Sequence, residues 1–336
     1  MSQRGEGRLR AWLQCLAALI WFFMARSMAH RGALALATEQ WVPLAEELFL
    51  AFLLVVGYSG LVFWLNGQLQ AVSEQGLTVR EGWQKEFGLG LALGWTASVL
   101  TVLPMALLGG IAISLNLHLA SWGLLLVDAT FFALWALVEE VAFRGYGFQR
   151  FLDATGSWSA PVVYSVIYAL IQAQLPGSSR SSFFVALIFN LALSLAYLRS
   201  RALWVSWGMN FAWKASRGLL FGLAVCGNSQ HTPLVQGDPL GSFWLTGGGF
   251  GLDGSWTAFA IFLLLLPVLY KLTRDLDFRY NAPVFVPGGI AVDIDASARQ
   301  MHQSAMGPEV PAAPQLIQIL PAAPLEAAPQ PKSREQ

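Results

Sequence analysis

The chain has 336 residues, of which 55% are hydrophobic and only 12% are charged. Soluble globular domains carry about 25% charged residues, so this composition excludes an ordinary soluble protein. Lys and Arg together number 20, as do Asp and Glu together, and this balance excludes a basic surface for nucleic acid. The two cysteines, Cys15 and Cys226, offer neither a disulfide framework nor a paired metal motif.

Apolar runs recur along the chain, and about 20 apolar residues suffice to cross a bilayer. The first run follows a short basic start at 1–10 and is interpreted as an uncleaved span, with an interfacial helix as the alternative. The eight predicted spans are 11–25, 48–65, 87–113, 121–138, 161–173, 183–198, 202–225 and 256–270. We therefore predict an all-α fold, a polytopic transmembrane helical bundle of about eight spans.

Small and polar residues inside these runs predict contacts between helices. Glycines in the third run, at Gly88, Gly90, Gly109 and Gly110, are expected to permit close helix approach. Asn190 is expected to hydrogen-bond a neighbouring helix. Arg217 is expected to pair with a loop acid such as Asp238 or to reach the outer interface.

Basic residues are distributed unevenly between the predicted loops. If the N-terminus is cytoplasmic, the inner loops and the C-terminal flank carry Arg80, Lys85, Arg144, Arg150, Arg199, Arg201, Lys271, Arg274 and Arg279. The outer loops carry only Arg31 and Arg180. The positive-inside rule then puts both termini, and the inner ends of the helices, in the cytoplasm. We expect an integral protein of a bacterial inner membrane, with membrane lipid as a partner.

The composition divides the chain into four parts. Residues 1–120 are predicted to form N-terminal transmembrane helices, and 121–227 the core helices that carry the chemistry. Residues 228–279 hold a Gly-rich loop and the last transmembrane helix. From 280 to 336 Pro and Ala become dominant, which predicts a disordered tail because such a segment buries too little surface to offset its ordering entropy.

Two adjacent carboxylates, Glu139 and Glu140, end an almost entirely apolar run in segment 137–145. Ionisable groups at membrane depth cost roughly 2.5–3.5 kcal/mol each on insertion scales and usually mark function. In a helix, Glu140 and Arg144 stand four residues apart and can pair, whereas Glu139 points about 100° away. The pattern predicts a functional Glu139, and charges that merely anchor a helix end at the membrane surface are the alternative.

Three blocks of sequence surround and follow this pair. They read Glu-Glu-x-x-x-Arg-Gly-Tyr-Gly-Phe-Gln-Arg-Phe-Leu from Glu139, Tyr-Ala-Leu-Ile-Gln-Ala-Gln-Leu-Pro-Gly from Tyr168, and Leu-Trp-Val-Ser-Trp-Gly-Met-Asn-Phe-Ala-Trp-Lys from Leu203. In this order they resemble the three motifs of the CPBP family, the CAAX-processing and bacteriocin-processing intramembrane proteases. The resemblance covers roughly residues 121–227.

The resemblance implies hydrolysis of peptide bonds near the cytoplasmic face of the membrane. In the family, the first Glu and a His of the second motif activate a water. A His and an Asn of the third motif are assigned to a metal or to an oxyanion site. Glu139, Glu140 and Arg144 match the first motif, but Gln172, Asn210 and Lys214 stand where the second-motif His, the third-motif His and the Asn belong.

These departures change what the site can do. A zinc-like ion prefers imidazole, thiolate or carboxylate ligands, so we expect no metal and no cofactor. Two roles remain open for Lys214. It can donate with Asn210 to an oxyanion while Glu139 acts as a base. Alternatively, it can neutralise Glu139 or Glu140 in a buried ion pair, which is the outcome we predict because it gives the charges partners.

The sequence therefore leads to a CPBP-type intramembrane endopeptidase-like protein whose proteolysis is impaired. The expected ligand is a membrane-anchored peptide or protein, and the candidate site residues are Glu139, Glu140, Arg144, Gln172, Asn210 and Lys214. One alternative is an inactive pseudoprotease that binds membrane helices or peptides as a partner protein. The other is a small-molecule transporter, although the absence of repeats and of paired broken helices counts against it.

Overall fold

A computed structural model describes residues 3–66, 75–115, 118–228 and 235–280. The described residues belong to one compact unit. From residue 281 onward, the predicted disordered tail lies outside the described residues.

The described residues are mostly helical. In chain order the helices are α1 (Gln3–Leu36), α2 (Val42–Asn66), α3 (Trp83–Leu107), α4 (Leu119–Arg144), α5 (Tyr146–Thr155), α6 (Ser159–Gln172), α7 (Arg180–Ser200), α8 (Trp204–Ala215), α9 (Phe243–Thr246), α10 (Trp256–Leu272) and α11 (Arg274–Tyr280). A π-helical turn, Ser216–Leu220, extends α8. The all-α prediction is confirmed for the body of the fold.

Within the described residues, five segments are long and apolar enough to cross a membrane. They are Gly7–Leu36, Glu39–Leu65, Trp83–Leu107, Ser121–Thr155 and Arg180–Ser200. Shorter apolar helices cover Ser159–Gln172 and Trp256–Leu272. The predicted run 202–225 contributes only the 12 residues of α8 and the turn that follows. The protein is thus an integral membrane helical bundle, and the count of eight spans stays a prediction.

A small antiparallel sheet was not predicted. Strand β1, Ile111–Leu115, pairs with β2, Val235–Pro239, with Ile111 opposite Pro239 and Leu115 opposite Val235. The predicted run 87–113 therefore ends early, at Leu107. Gly109 adopts a φ of 66°, a left-handed conformation that suits glycine and ends the helix.

Helices α3 and α8 pack with their backbones in contact through three glycines. A Cβ atom on Gly90 would lie 2.1 Å from the Val205 carbonyl oxygen, and one on Gly94 would lie 2.3 Å from that of Met209. From the other side, a Cβ on Gly208 would lie 2.4 Å from the Phe87 carbonyl oxygen. These contacts fix the position of α8, which carries Asn210 and Lys214.

The glycine prediction is correct at some positions and wrong at others. A Cβ on Gly88 or Gly109 would meet nothing within 4 Å, so neither glycine serves close packing. Gly88 lies on a face of α3 that the other helices leave open. Gly110 does approach another segment, since its Cβ would lie 3.2 Å from the Gly241 Cα.

The chain bends at Gly145, between α4 and α5. A Cβ there would lie 2.2 Å from the Val141 carbonyl oxygen, so only glycine fits. Beyond the bend, Tyr146 and Phe148 are fully buried. The bend leaves Glu139, Glu140 and Arg144 on the last two turns of α4, facing α8.

Candidate functional site

Glu140 and Arg144 form a sealed ion pair on α4. Arg144 Nη1 lies 2.9 Å from Glu140 Oε1, and the two side chains are 1% and 0% exposed. The Arg144 guanidinium also donates to the Asn190 side-chain oxygen on α7. Asn190 Nδ2 in turn donates to Ser165 Oγ on α6 at 3.2 Å. The prediction that Asn190 hydrogen-bonds between helices is confirmed, and the network ties three helices together.

Glu139 forms a second ion pair with Lys214 of α8. Lys214 Nζ lies 3.1 Å from Glu139 Oε1, with Lys214 1% exposed and Glu139 12% exposed. Lys214 Nζ also lies 4.0 Å from the centre of the Trp135 ring, within the range of a cation–π interaction. The predicted pairing of Lys214 with one of the two carboxylates is confirmed.

Asn210 joins the two carboxylates. Its Nδ2 atom donates to Glu139 Oε2 and to Glu140 Oε1, both at 3.0 Å. One amide thus donates a hydrogen bond to an oxygen of each acid. It holds the two acidic side chains of α4 next to each other against α8. The fit depends on an amide, because an NH₂ group carries two donors on one atom.

Gln172 reaches the carboxylates through Tyr168. Gln172 Nε2 donates to the Tyr168 hydroxyl at 2.9 Å, and this hydroxyl lies 3.5 Å from Glu139 Oε2, at the outer limit of a hydrogen bond. No role for Tyr168 was predicted from the sequence. Tyr168 lies four residues before Gln172, on the same face of α6, and this spacing could have indicated a contact between the two side chains.

The ion pair of Lys214 lies deep in the bundle. Two residues further along, Ser216 Oγ donates to Ser98 Oγ at 2.7 Å, and Ser98 is close to the middle of the 25-residue helix α3. The position of Glu139 and Glu140 along the membrane, which the positive-inside rule predicts to be the cytoplasmic end of their span, stays a prediction.

A further buried ion pair lies next to the site. Arg217 Nη1 lies 2.5 Å from Asp253 Oδ2, which confirms the expected pairing with a loop acid, although the acid is Asp253 and not Asp238. Trp213 Nε1 donates to Asp253 Oδ1 at 3.0 Å, and the backbone N–H and the thiol of Cys226 donate to Oδ2 at 3.0 and 3.3 Å. Burial tends to raise the pKa of Asp253, but Arg217 and the other donors hold it below its ordinary value.

Cys226 takes an unusual backbone conformation beside this carboxylate. Its φ is 50°, in the left-handed region that residues with a Cβ rarely adopt. Burial, followed by the Asp253 charge, raises the pKa of the Cys226 thiol. The thiol is therefore a hydrogen-bond donor at neutral pH and a poor nucleophile.

The six predicted site residues thus gather in one cluster. Its donor set does not fit a divalent metal, since Lys214 brings a cation to Glu139 and amides fill the remaining positions. Among the described residues, no group of three His, Cys, Asp or Glu side chains is placed to hold a metal ion. What the arrangement offers is one carboxylate, Glu139, held by amide, hydroxyl and ammonium donors.

An apolar cavity of about 300 Å³ lies beside the cluster. Its lining comes from five helices and includes Trp12, Leu16, Phe22, Phe143, Phe151 and Ile167. The Phe143 ring packs at 5.2 Å against Tyr168, which reaches Glu139. The rings of Phe143 and Tyr168 thus separate the cavity from the Glu139 carboxylate. The volume of the cavity is at the lower end of the range for ligand pockets, about 300–1,000 Å³.

Comparison with known proteins agrees with the motifs. Residues 120–216 match the family described as Type II CAAX prenyl endopeptidase Rce1-like. No curated protein and no solved structure matches the chain. The matched residues contain all six members of the cluster, which agrees with the resemblance of residues 121–227 to the CAAX-processing proteases.

Proposed function

We propose that this protein is a CPBP-type intramembrane endopeptidase-like protein whose proteolytic activity is impaired by its own Lys214. The observation that carries the proposal is that both carboxylate oxygens of Glu139 already have hydrogen-bond donors. Lys214 Nζ lies at one carboxylate oxygen, and Asn210 donates to the other. A general base must accept a proton from a water, and both oxygens of this carboxylate already accept hydrogen bonds within the protein.

The replacement of the second-motif His by Gln172 supports the same conclusion. A neutral amide cannot take up a proton near neutral pH, so Gln172 cannot share the activation of water with Glu139. Its Nε2 atom is already engaged with the Tyr168 hydroxyl. Glu139 is left without a second basic group.

We propose that the ligand is a membrane-anchored peptide or protein. The apolar cavity beside Phe143 suits a hydrocarbon chain, and the polar cluster next to it suits a peptide backbone. Such a ligand is presented within the membrane, where the cluster lies. Binding without turnover would make the protein a partner of membrane peptides, which is the pseudoprotease alternative.

Basic residues at one end of the bundle support a bacterial inner-membrane location with both termini cytoplasmic. Arg80 donates to the Ser200 carbonyl oxygen at 2.6 Å, and Arg199 Nη1 lies 3.3 Å from Asp277. These contacts join the ends of three segments that the positive-inside rule assigned to the cytoplasm. The orientation itself is part of the proposal.

The test is cleavage of membrane-anchored reporter peptides by the purified protein in lipid. We compare the wild type with Glu139→Gln, which keeps the shape of the side chain, and with a variant carrying Gln172→His, Asn210→His and Lys214→Asn. We expect no turnover by the wild type above the Glu139→Gln level, and measurable turnover by the triple variant.

The control adds Glu139→Gln to the triple variant, where activity must disappear. Wild-type turnover that Glu139→Gln abolishes would overturn the proposal. It would favour an active enzyme in which Asn210 and Lys214 act as oxyanion donors. Binding of the uncleaved reporter to the wild type separates a pseudoprotease from a protein with no peptide ligand.

A further inference from the structure

A polar cavity of about 180 Å³ lies at the arginine-rich end of the bundle, away from the carboxylate cluster. It is lined by Gln149, Arg150, Leu152, Asp153, Tyr197 and Arg201. Its volume equals roughly six water molecules at about 30 Å³ each. The space is large enough for a small polar group together with a few waters.

The charge of this lining favours an anion. Two guanidinium groups, from Arg150 on α5 and Arg201 just after α7, face one carboxylate, that of Asp153. Arg150 Nη1 lies 3.2 Å from Asp153 Oδ2, an ion pair in which Asp153 is 55% exposed. The lining therefore carries a net positive charge, and the Gln149 amide adds neutral donors.

The backbone at Arg201 points the same way. Arg201 follows the end of α7 with a φ of 52°, a left-handed conformation in which helices usually place glycine. A residue with a Cβ is disfavoured there, and the chain nevertheless places an arginine beside the cavity at this position.

The position of the cavity indicates where the anion comes from. Helix α5 separates the two cavities, with Gly147 and Phe151 lining the apolar one and Gln149, Arg150 and Asp153 lining the polar one. Helix α5 thus has one apolar and one charged side, which is the pattern of helices that lie at the depth of lipid headgroups. Arg80 and Arg199 lie at the same end of the bundle.

We propose that this cavity binds a phosphate group, held by Arg150 and Arg201 at the membrane interface. Guanidinium forks match phosphate oxygens in geometry and charge. The phosphate can belong to the headgroup of an anionic lipid or to a soluble phosphate. The proposal does not depend on the proposed protease-like function.

The experiment measures binding to the full-length protein in detergent by calorimetric titration with three probes. They are dioctanoyl phosphatidylglycerol, dioctanoylglycerol, which has the same chains without phosphate, and inorganic phosphate. The test variant is Arg201→Gly, which removes the guanidinium and also suits the left-handed backbone, so folding is preserved. The control is Arg180→Gln, an exposed arginine at the other end of α7.

We expect phosphatidylglycerol to bind, and Arg201→Gly to weaken that binding at least about tenfold, as for the loss of a hydrogen bond to a charged group. Arg180→Gln should leave the affinity unchanged, and added salt should weaken binding. Binding of dioctanoylglycerol should not depend on Arg201.

Arg201-dependent binding of inorganic phosphate that is as tight as that of the lipid would support the site with a soluble phosphate as its ligand. Equal affinities of Arg201→Gly and wild type for both phosphate probes would overturn the proposal.

Discussion

At the scale of single residues, the cluster contains two buried ion pairs with different surroundings. Glu140 and Arg144 are sealed from solvent and tie α4 to α7 through Asn190, so their role here is to hold helices together. Lys214 is buried and Glu139 is 12% exposed, so this second pair also lies inside the bundle, where a lone ion is poorly tolerated. Each ion of that pair is stable in place because of the other.

A double-mutant cycle at Glu139 and Lys214 tests this mutual dependence. Glu139→Gln or Lys214→Met alone should destabilise the fold by about 3–5 kcal/mol, because each leaves a buried charge without a counter-ion. Combining them should restore most of the loss, since a neutral pair needs no compensation. The readout is the free energy of unfolding in mixed micelles. A double variant as unstable as the sum of the two single variants would show that the ion pair contributes nothing.

The same physics explains which partners the sequence could predict. Lys214 was predicted to pair with Glu139 or Glu140 for two reasons. It stands at the position of the third-motif Asn, which the family resemblance places at the site, and a buried ammonium group needs a counter-ion. A loop acid was expected as the partner of Arg217, but the choice of Asp253 over Asp238 could not be predicted, because no periodicity describes the path of the glycine-rich loop that holds both. Loop geometry, not residue chemistry, decided that contact.

At the scale of elements, the apolar runs predicted the helices well and their ends poorly. Each of the eight runs contains a helix, but α1 extends from Gln3 to Leu36, well beyond the run 11–25, and α3 ends at Leu107. Pairing of β1 with β2 joins segments about 120 residues apart, and nothing in either five-residue stretch specifies the other. The contact between α3 and α8 is set by glycines whose roles only the packing distinguishes.

Two alanine substitutions on α3 separate packing from helix propensity. Gly94→Ala should destabilise the protein by about 1–3 kcal/mol, because its Cβ would meet the Met209 backbone of α8. Gly88→Ala lies on the same helix with nothing within 4 Å of its Cβ, and should be neutral or stabilising by up to about 1 kcal/mol. Unfolding in mixed micelles measures both. Equal effects of the two substitutions would contradict close packing of α8 on α3.

At the scale of the whole molecule, ion pairs hold the two ends of the bundle differently. At one end, Arg80 pairs with the buried Glu86 and donates to the Ser200 carbonyl oxygen, and Arg199 pairs with the partly exposed Asp277. Towards the other end, the Arg217–Asp253 pair fastens the segment before α10 to the end of α8 and to Cys226. We call the Arg217–Asp253 pair, with Cys226, the clamp. The carboxylate cluster lies between the clamp and the arginine-rich end of the bundle.

The thiol of Cys226 reports on the clamp, and modification by a maleimide in a Cys15→Ser background provides the measurement. Asp253→Asn removes the charge that, after burial, raises the pKa of Cys226, and it also weakens the acceptor of the thiol. Thiolate should increase roughly tenfold for each unit by which the pKa falls, so labelling at pH 7 should accelerate.

Asp238→Asn is the matched control. Asp238 is the loop acid that the sequence analysis named as a partner for Arg217, and it lies in β2 in the structure. The substitution should leave the labelling rate unchanged. The pKa of Asp253 is lowered in the folded protein, so the clamp is fully present above the ordinary value of 3.8 and is lost only as the pH falls further. At pH 7 the wild-type clamp is therefore closed, and equal labelling of wild type and Asp253→Asn would show that Asp253 does not hold the segment over the site.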